Sequence, residues 1–142
     1  DQQRARRVAV RNVPVMIHTG TSVFPGARNV FADPMPADDV GVDFPKLRVI
    51  LAHAGRPLHG ETALFLLRRH PNFLLDLSGI PPKRLFQYIP RLVEVADRCL
   101  WGSDWPSPGV SSVRKNVEDF LELDLAEPAR RAILWENSTR LF

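Results

Sequence analysis

Cysteine is almost absent. Cys99 stands alone among 142 residues, so no disulfide can form within the chain, and a reducing, cytoplasmic setting is expected. No apolar run approaches the roughly 20 residues that a membrane helix requires, so no helical membrane span or membrane partner is expected. No charged-then-apolar leader opens the chain, and no secretory signal is read. Low-complexity tracts are missing, which excludes collagen-like and disordered readings. Basic charge is also scarcer than its total suggests. The formal net charge is +3, and Arg4, Arg6, Arg7 and Arg11 set against Asp1 account for all of it. The rest of the chain is neutral and carries no Lys/Arg stripe with interleaved aromatics. The opening stretch therefore reads as the solvated face of a helix end, and no nucleic-acid partner is expected.

What is present is the composition of a globular protein, with 44% hydrophobic and 25% charged residues. The length suits a single domain over residues 1–142, with enough chain to bury a core. Proline is in excess, 13 residues, nearly twice the usual ~5%, and must sit where neither a helix nor a ladder needs the N–H. Asp1 is not an initiator Met, and DQQRARRVAVRN has no N-cap signal before it runs into Pro14. It reads as the last turns of a helix, and the chain as a piece of something longer.

Four short apolar runs come after it: Val13-Pro14-Val15-Met16-Ile17, Val49-Ile50-Leu51-Ala52, Phe73-Leu74-Leu75-Asp76-Leu77 and Cys99-Leu100-Trp101. Each is continuous rather than alternating, the pattern of strands buried on both faces of a parallel sheet. Helical patterns fill the gaps. His59 to His70 places Ala63, Leu64, Leu66 and Leu67 on one side and ends in Arg68-Arg69, as a helix C-terminus favours. A short helix is expected over Ala37 to Asp43, another opening at Pro90, and a longer one from Ser111 with Val113, Val117, Phe120 and Leu121 inward. A last helix covers Pro128 to Trp135, and the Leu141-Phe142 end is expected to pack. Strands alternating with helices predict an α/β fold with parallel strands and right-handed crossovers.

The chemistry lies at the strand ends. The runs lead into His18-Thr19-Gly20, His53-Ala54-Gly55, Ser78-Gly79 and Gly102-Ser103-Asp104-Trp105. Two histidines and a carboxylate thus stand at the C-terminal ends of separate parallel strands, the edge where α/β folds bind ligands. Imidazole nitrogen and carboxylate oxygen suit zinc, or manganese, iron or cobalt. Such an ion acidifies bound water, and a neighbouring His or Asp can move the proton. Each residue also has an ordinary reading: His18 as a hydrogen-bonded core histidine, His53 as a donor to a carbonyl, Asp104 as a turn residue before Pro106. Their shared position outweighs these. Elsewhere the ordinary readings stand. His59 enters a helix, His70 is a charge at a helix C-terminus, Asp33, Asp38 and Asp39 cap or solvate a loop, Asp76 needs a partner within its strand, and Cys99 is a buried small hydrophobe.

PVMIHTG, DFPKLRVILAHAG, NFLLDLSG, LWGSDWP and ILWENSTRLF, in this order from Val13 to Phe142, resemble the second half of the amidohydrolase-2 family, which includes metal-dependent hydrolases and aminocarboxymuconate-semialdehyde-decarboxylase-like enzymes. The resemblance implies a TIM-type (β/α)8 barrel of which these are strands five to eight, the C-terminal half. It implies that His18 is the fifth-strand metal ligand. His53 becomes the sixth-strand histidine that orients or deprotonates the attacking water, and Asp104 the eighth-strand aspartate that binds metal and shuttles a proton. The family's first strand normally carries a His-x-His pair. Here His18, His53, His59 and His70 are each isolated, so the metal site needs residues from elsewhere.

These residues support three readings. One is a metal-dependent hydrolase acting on a small, carboxylated substrate through metal-activated water. A second keeps the divalent metal and makes the reaction a non-oxidative decarboxylation. The third, of another class, is a catalytically incomplete half-barrel serving as an assembly module. In each case the open sheet edges predict a homo-oligomer or association with a missing N-terminal half.

Overall fold

The structure is a computed structural model that describes residues 13–142. The basic opening segment read as a helix end lies outside these residues. The chain forms two compact units, the first ending at Leu75 and the second beginning at Asp76.

In the first unit β1 (Val15–His18), β2 (Val49–Ala52) and β3 (Phe73–Asp76) run parallel in chain order. Val15 pairs with Val49 and Val49 with Phe73, so the three strands start level. The connections are α1 (Ala37–Asp43) and α2 (Gly60–Arg69). β2 is the centre: Val49, Ile50, Leu51 and Ala52 are all buried, and a Val-Ile-Leu run suits a strand covered on both faces. α2 follows the periodicity of its sequence, with Ala63, Leu64, Leu66 and Leu67 buried and Arg68-Arg69 in the last turn.

β1 departs from the expectation of burial on both faces. Met16 is 57% exposed and His18 is exposed as well, alternating with half-buried Val15 and Ile17, so one face of β1 is left uncovered among the described residues. His70 stands at the C-terminus of α2 as read, and it is also buried there, with Nε2 2.7 Å from Asp38 Oδ1 and its ring tilted against Phe73. Asp38 is therefore no loop-solvating carboxylate; it ties α1 to the end of α2, with Arg69 Nε also at 2.8 Å. Asp33 behaves as expected of a turn residue, its Oδ1 accepting the Met35 N–H.

The second unit opens with Asp76, the last residue of β3, and Leu77 donates its N–H to Leu100 O at 2.9 Å. That bond sets β4 (Cys99–Leu100) beside the chain leaving β3. Short helical turns, including α3 (Leu85–Tyr88), lead to β4, and α4 (Val113–Leu121) comes after it. A helical run then closes the chain: α5 (Glu127–Arg131), a π-helical turn over Ala132–Glu136, and α6 (Asn137–Leu141). Phe120, Ile133 and Leu92 are fully buried. Cys99 is the buried small residue expected, and burial pushes its thiol pKa up.

Two expectations in this unit need correction. The inward face of α4 is not the Val113/Val117/Phe120/Leu121 stripe: Val113 and Leu121 are each 45% exposed, while Asn116 and Phe120 are buried. Of the terminal pair, Leu141 packs and Phe142 is exposed. Among the described residues, no helix is long and apolar enough to cross a membrane.

Candidate functional site

The loops after β1 and β2 carry the two histidines, and a threonine stitches them together. Thr19 Oγ1 donates to Ala52 O at 2.5 Å and accepts the Gly55 N–H at 3.0 Å. Thr21 N–H donates to Arg56 O at 2.8 Å. Gly20 has φ +91, and a Cβ there would stand 2.5 Å from the Arg56 carbonyl oxygen, so this crossing requires glycine on both conformational and steric grounds. Held in this way, the His18 and His53 rings meet edge to face with centroids 5.0 Å apart.

His53 and Ala54 both adopt left-handed backbone conformations, φ 64 and 48. Non-glycine residues avoid this region, and occupying it costs of order 1–3 kcal/mol per residue. The turn from β2 into α2 is thus a forced one, closed by Arg56 N–H donating to His53 O at 3.0 Å. His59, read as the entry to a helix, does precede α2, with Nδ1 3.9 Å from Asp33 Oδ1.

In the second unit Asp104 also has a left-handed backbone, φ 60. Its carbonyl accepts the Ser107 N–H at 2.7 Å, and Ser103 Oγ accepts the Trp105 N–H at 3.2 Å. Asp76 finds the partner its burial demands in Ser78, whose hydroxyl donates to Asp76 Oδ2. Gly102 passes directly over this pair: a Cβ at Gly102 would meet Asp76 Oδ1 at 2.7 Å. The sequence marks Asp76 as needing a partner, but does not reveal that Ser78 and Gly102 supply the partner and the space. The Gly of GSDWP is the signal that could have found them.

The donor types of His18, His53 and Asp104 suit a borderline divalent ion. Their number is short of a complete centre. Among the described residues no group of three or more His, Cys, Asp or Glu side chains is placed to hold a metal.

A parallel α/β sheet with histidines and a carboxylate following its strands is the arrangement on which TIM-barrel proteins build their sites, and the fold is similar to solved TIM-barrel structures. An uncharacterised TIM-barrel protein from Bordetella bronchiseptica superposes with TM-score 0.81 at 25% identity, over 99% of this chain and 49% of its own. A zinc-bound amidohydrolase from Burkholderia multivorans gives TM-score 0.66 at 20% identity, over 99% of this chain and 57% of its own. A manganese-bound dihydroxybenzoic acid decarboxylase from Polaromonas sp. JS666 gives 0.64 at 20%, over 96% and 51%. The amidohydrolase family model Amidohydro_2 matches residues 4–142, and the chain belongs to that family. A curated relative, 4-sulfomuconolactone hydrolase of Hydrogenophaga intermedia, is 41% identical over 58 residues, 36% of this chain and 19% of that protein. The chain spans about half the length of the solved structures it matches.

Proposed function

We propose that this chain is strands five to eight of a (β/α)8 barrel, the C-terminal half of a metal-dependent hydrolase acting on a small, carboxylated substrate. The observation that carries the reading is backbone strain in the right residues. His53 directly follows β2, Asp104 lies in the loop after β4, and each holds a left-handed conformation; strain of this kind persists where the surroundings fix a side chain for a task.

In this reading His18 and Asp104 hold the ion, zinc by preference, and donors from the rest of the barrel complete the set. The ion supplies Lewis acidity and lowers the pKa of bound water. His53, whose loop the Thr19 bonds hold, would orient the attacking water or take its proton, and Asp104, besides binding the ion, would pass that proton on. The partial match to a lactone hydrolase supports hydrolysis. The decarboxylases among the solved structures share the fold at identities too low to choose the reaction. The outer edge of β1, unpaired among the described residues, and its uncovered face with Met16 and His18 suit coverage by the rest of the barrel or by a second copy of this chain. A cytoplasmic location and a small-molecule partner belong to this reading, and the single buried cysteine is consistent with a reducing compartment.

The test is steady-state kinetics of the protein at its native length, with metal content measured in parallel, on carboxylated lactones and on hydroxybenzoates. Asp104→Asn keeps the shape but loses the charge and the proton-accepting oxygen, and is expected to lower kcat by roughly 10²–10⁴. His18→Ala is expected to weaken metal retention, with partial rescue by excess metal. Near-wild-type turnover of Asp104→Asn at full metal occupancy overturns the assignment, and carbon dioxide release without hydrolysis replaces hydrolase by decarboxylase.

A further inference from the structure

The second unit holds a concavity lined by neither the histidine loops nor Asp104. Its volume is about 90 Å³, well below the ~300–1,000 Å³ of pockets for organic ligands and suited to an ion. It is lined by segments 81–83 and 109–112 and by one side of α4, with Lys83, Ser111, Ser112, Lys115, Asn116 and Asp119 as its polar groups.

Three features give it an excess of donors. The first is the start of α4, a nine-residue helix whose N-cap Ser112 accepts the Lys115 N–H at 3.0 Å. The earlier N–H groups of the first turn, at Val113 and Arg114, have no acceptor within the helix, and the helix dipole adds positive potential there. The second is charge. Among the lining residues Lys83 and Lys115 face one carboxylate, Asp119, which is hydrogen-bonded to Lys115 and 3.9 Å from Lys83 Nζ, so the lining itself carries one net positive charge, with Glu118 and Glu122 near Lys115 outside it.

The third feature is Asn116, which points to a ligand. It is 8% exposed and sits where an amphipathic helix would place an apolar residue. Its side-chain amide has no hydrogen bond to any described residue, and it lines the cavity. Its amide atoms open onto the cavity rather than being sealed in the core, so a bound oxyanion would meet a donor that no described residue occupies.

We propose that this cavity is a binding site for a small oxyanion of phosphate or carboxylate type. The Asn116 amide N–H, the first N–H groups of α4 and the ammonium groups of Lys83 and Lys115 act as donors. The site stands independently of the reaction assigned above, since none of its residues takes part in that reaction.

The experiment is a titration of the protein with inorganic phosphate at constant ionic strength, with chloride as control, monitored by nitrogen–proton NMR. Saturable shifts are expected at the Asn116 side-chain amide and at the Val113 and Arg114 N–H groups. Asn116→Leu is expected to weaken phosphate binding by roughly tenfold, the loss of one hydrogen bond to a charged group, while leaving the unfolding temperature unchanged or higher. Asn116→Asp, similar in size but negative, is expected to abolish binding. Benzoate in place of phosphate separates the sources of the anion: tighter benzoate identifies the anionic end of a carboxylated molecule, tighter phosphate a free or esterified phosphate. Shifts that do not saturate, that chloride reproduces, or that Asn116→Leu leaves unchanged overturn the proposal.

Discussion

The loops after β1 and β2 are held by each other, whereas the strand before Asp104 is held from behind. In the first unit Thr19 and Thr21 bond across to Ala52, Gly55 and Arg56 within the histidine loops themselves. In the second unit the grip comes from the end of the chain. Asn137 Nδ2 donates to Ala96 O and Cys99 O, both at 2.7 Å, at the entrance of β4. Arg140 in turn donates to Asn137 Oδ1, and Trp101 N–H beyond the strand donates to Ile133 O at 3.0 Å. Ile133 belongs to the π-helical turn, whose widened spacing departs from the usual i−4 ladder. A two-residue strand has few ladder bonds of its own, so its position depends on this external clamp. The histidine loops should therefore fail through small residues nearby, and the Asp104 strand through a residue far along the sequence.

The largest expected effect comes from that contrast. Asn137→Ala removes the donor from two carbonyls in a residue that is 2% exposed. Leaving a buried acceptor unpaired costs about 1–3 kcal/mol, so a loss of about 3 kcal/mol is expected in urea unfolding, with the denaturant slope unchanged. A loss under about 1 kcal/mol, within the range of an ordinary hydrogen bond, would mean that β4 does not depend on the clamp.

A smaller effect tests the other half of the comparison. Gly20→Ala brings a Cβ against the Arg56 carbonyl at 2.5 Å in addition to the cost of φ +91, whereas Gly26, at φ +87, has nothing within 4 Å of its Cβ position. The two glycines share the conformational penalty and differ in the steric one. Gly26→Ala is expected to cost about 1 kcal/mol, and Gly20→Ala about 2 kcal/mol more, the range of an overpacked contact. Equal losses of thermal stability in the two variants would show that the loops after β1 and β2 do not approach this closely.

The same contrast explains how much could be read from the sequence. β2 and α2 were legible because burial on both faces, or on one helical side, leaves a periodic signature in Val49-Ile50-Leu51 and in Ala63, Leu64, Leu66 and Leu67. The strand ends were legible because histidine, aspartate and glycine rarely come after apolar runs by accident at several strands together. What the sequence concealed depends on partners distant along the chain. His70 is buried because Asp38, on another helix, is there to meet it. Gly41 clears the way, since a Cβ there would lie 2.5 Å from the His70 ring. Asn116 takes an inward position that the apolar stripe of α4 assigned to its neighbours. Asn137 belongs to ENSTRLF, a string used for the family resemblance, but nothing local to it names Ala96 and Cys99 as its acceptors.

The smallest effect concerns an exposed clasp, and it sharpens the claim that buried polar bonds rather than surface ions organise the second unit. On α4 the Lys115 ammonium hydrogen-bonds the Asp119 carboxylate one turn on, and Arg114 pairs likewise with Glu118 at 2.9 Å. The Lys115 bond holds the Asp119 pKa below its ordinary value of 3.8 and holds Lys115 above 10.5. A carboxyl with a depressed folded-state pKa stabilises the fold above its ordinary value, and loses that contribution as pH falls through the depressed one. The raised lysine acts in the opposite sense: its contribution is present below its ordinary value and is lost as pH rises through the raised one. Between these limits the pair leaves stability independent of pH. Lys115 is exposed and Asp119 only partly so, and salt screens a pair at the surface in this way. Carbon NMR of the Asp119 carboxyl is therefore expected to titrate below the ordinary aspartate value, and Lys115→Met to move that midpoint upward. Urea midpoints near neutral pH should barely change, in contrast to Asn137→Ala. A loss of stability in Lys115→Met equal to that of Asn137→Ala would place the organising interactions on the surface of α4 instead of at the entrance of β4.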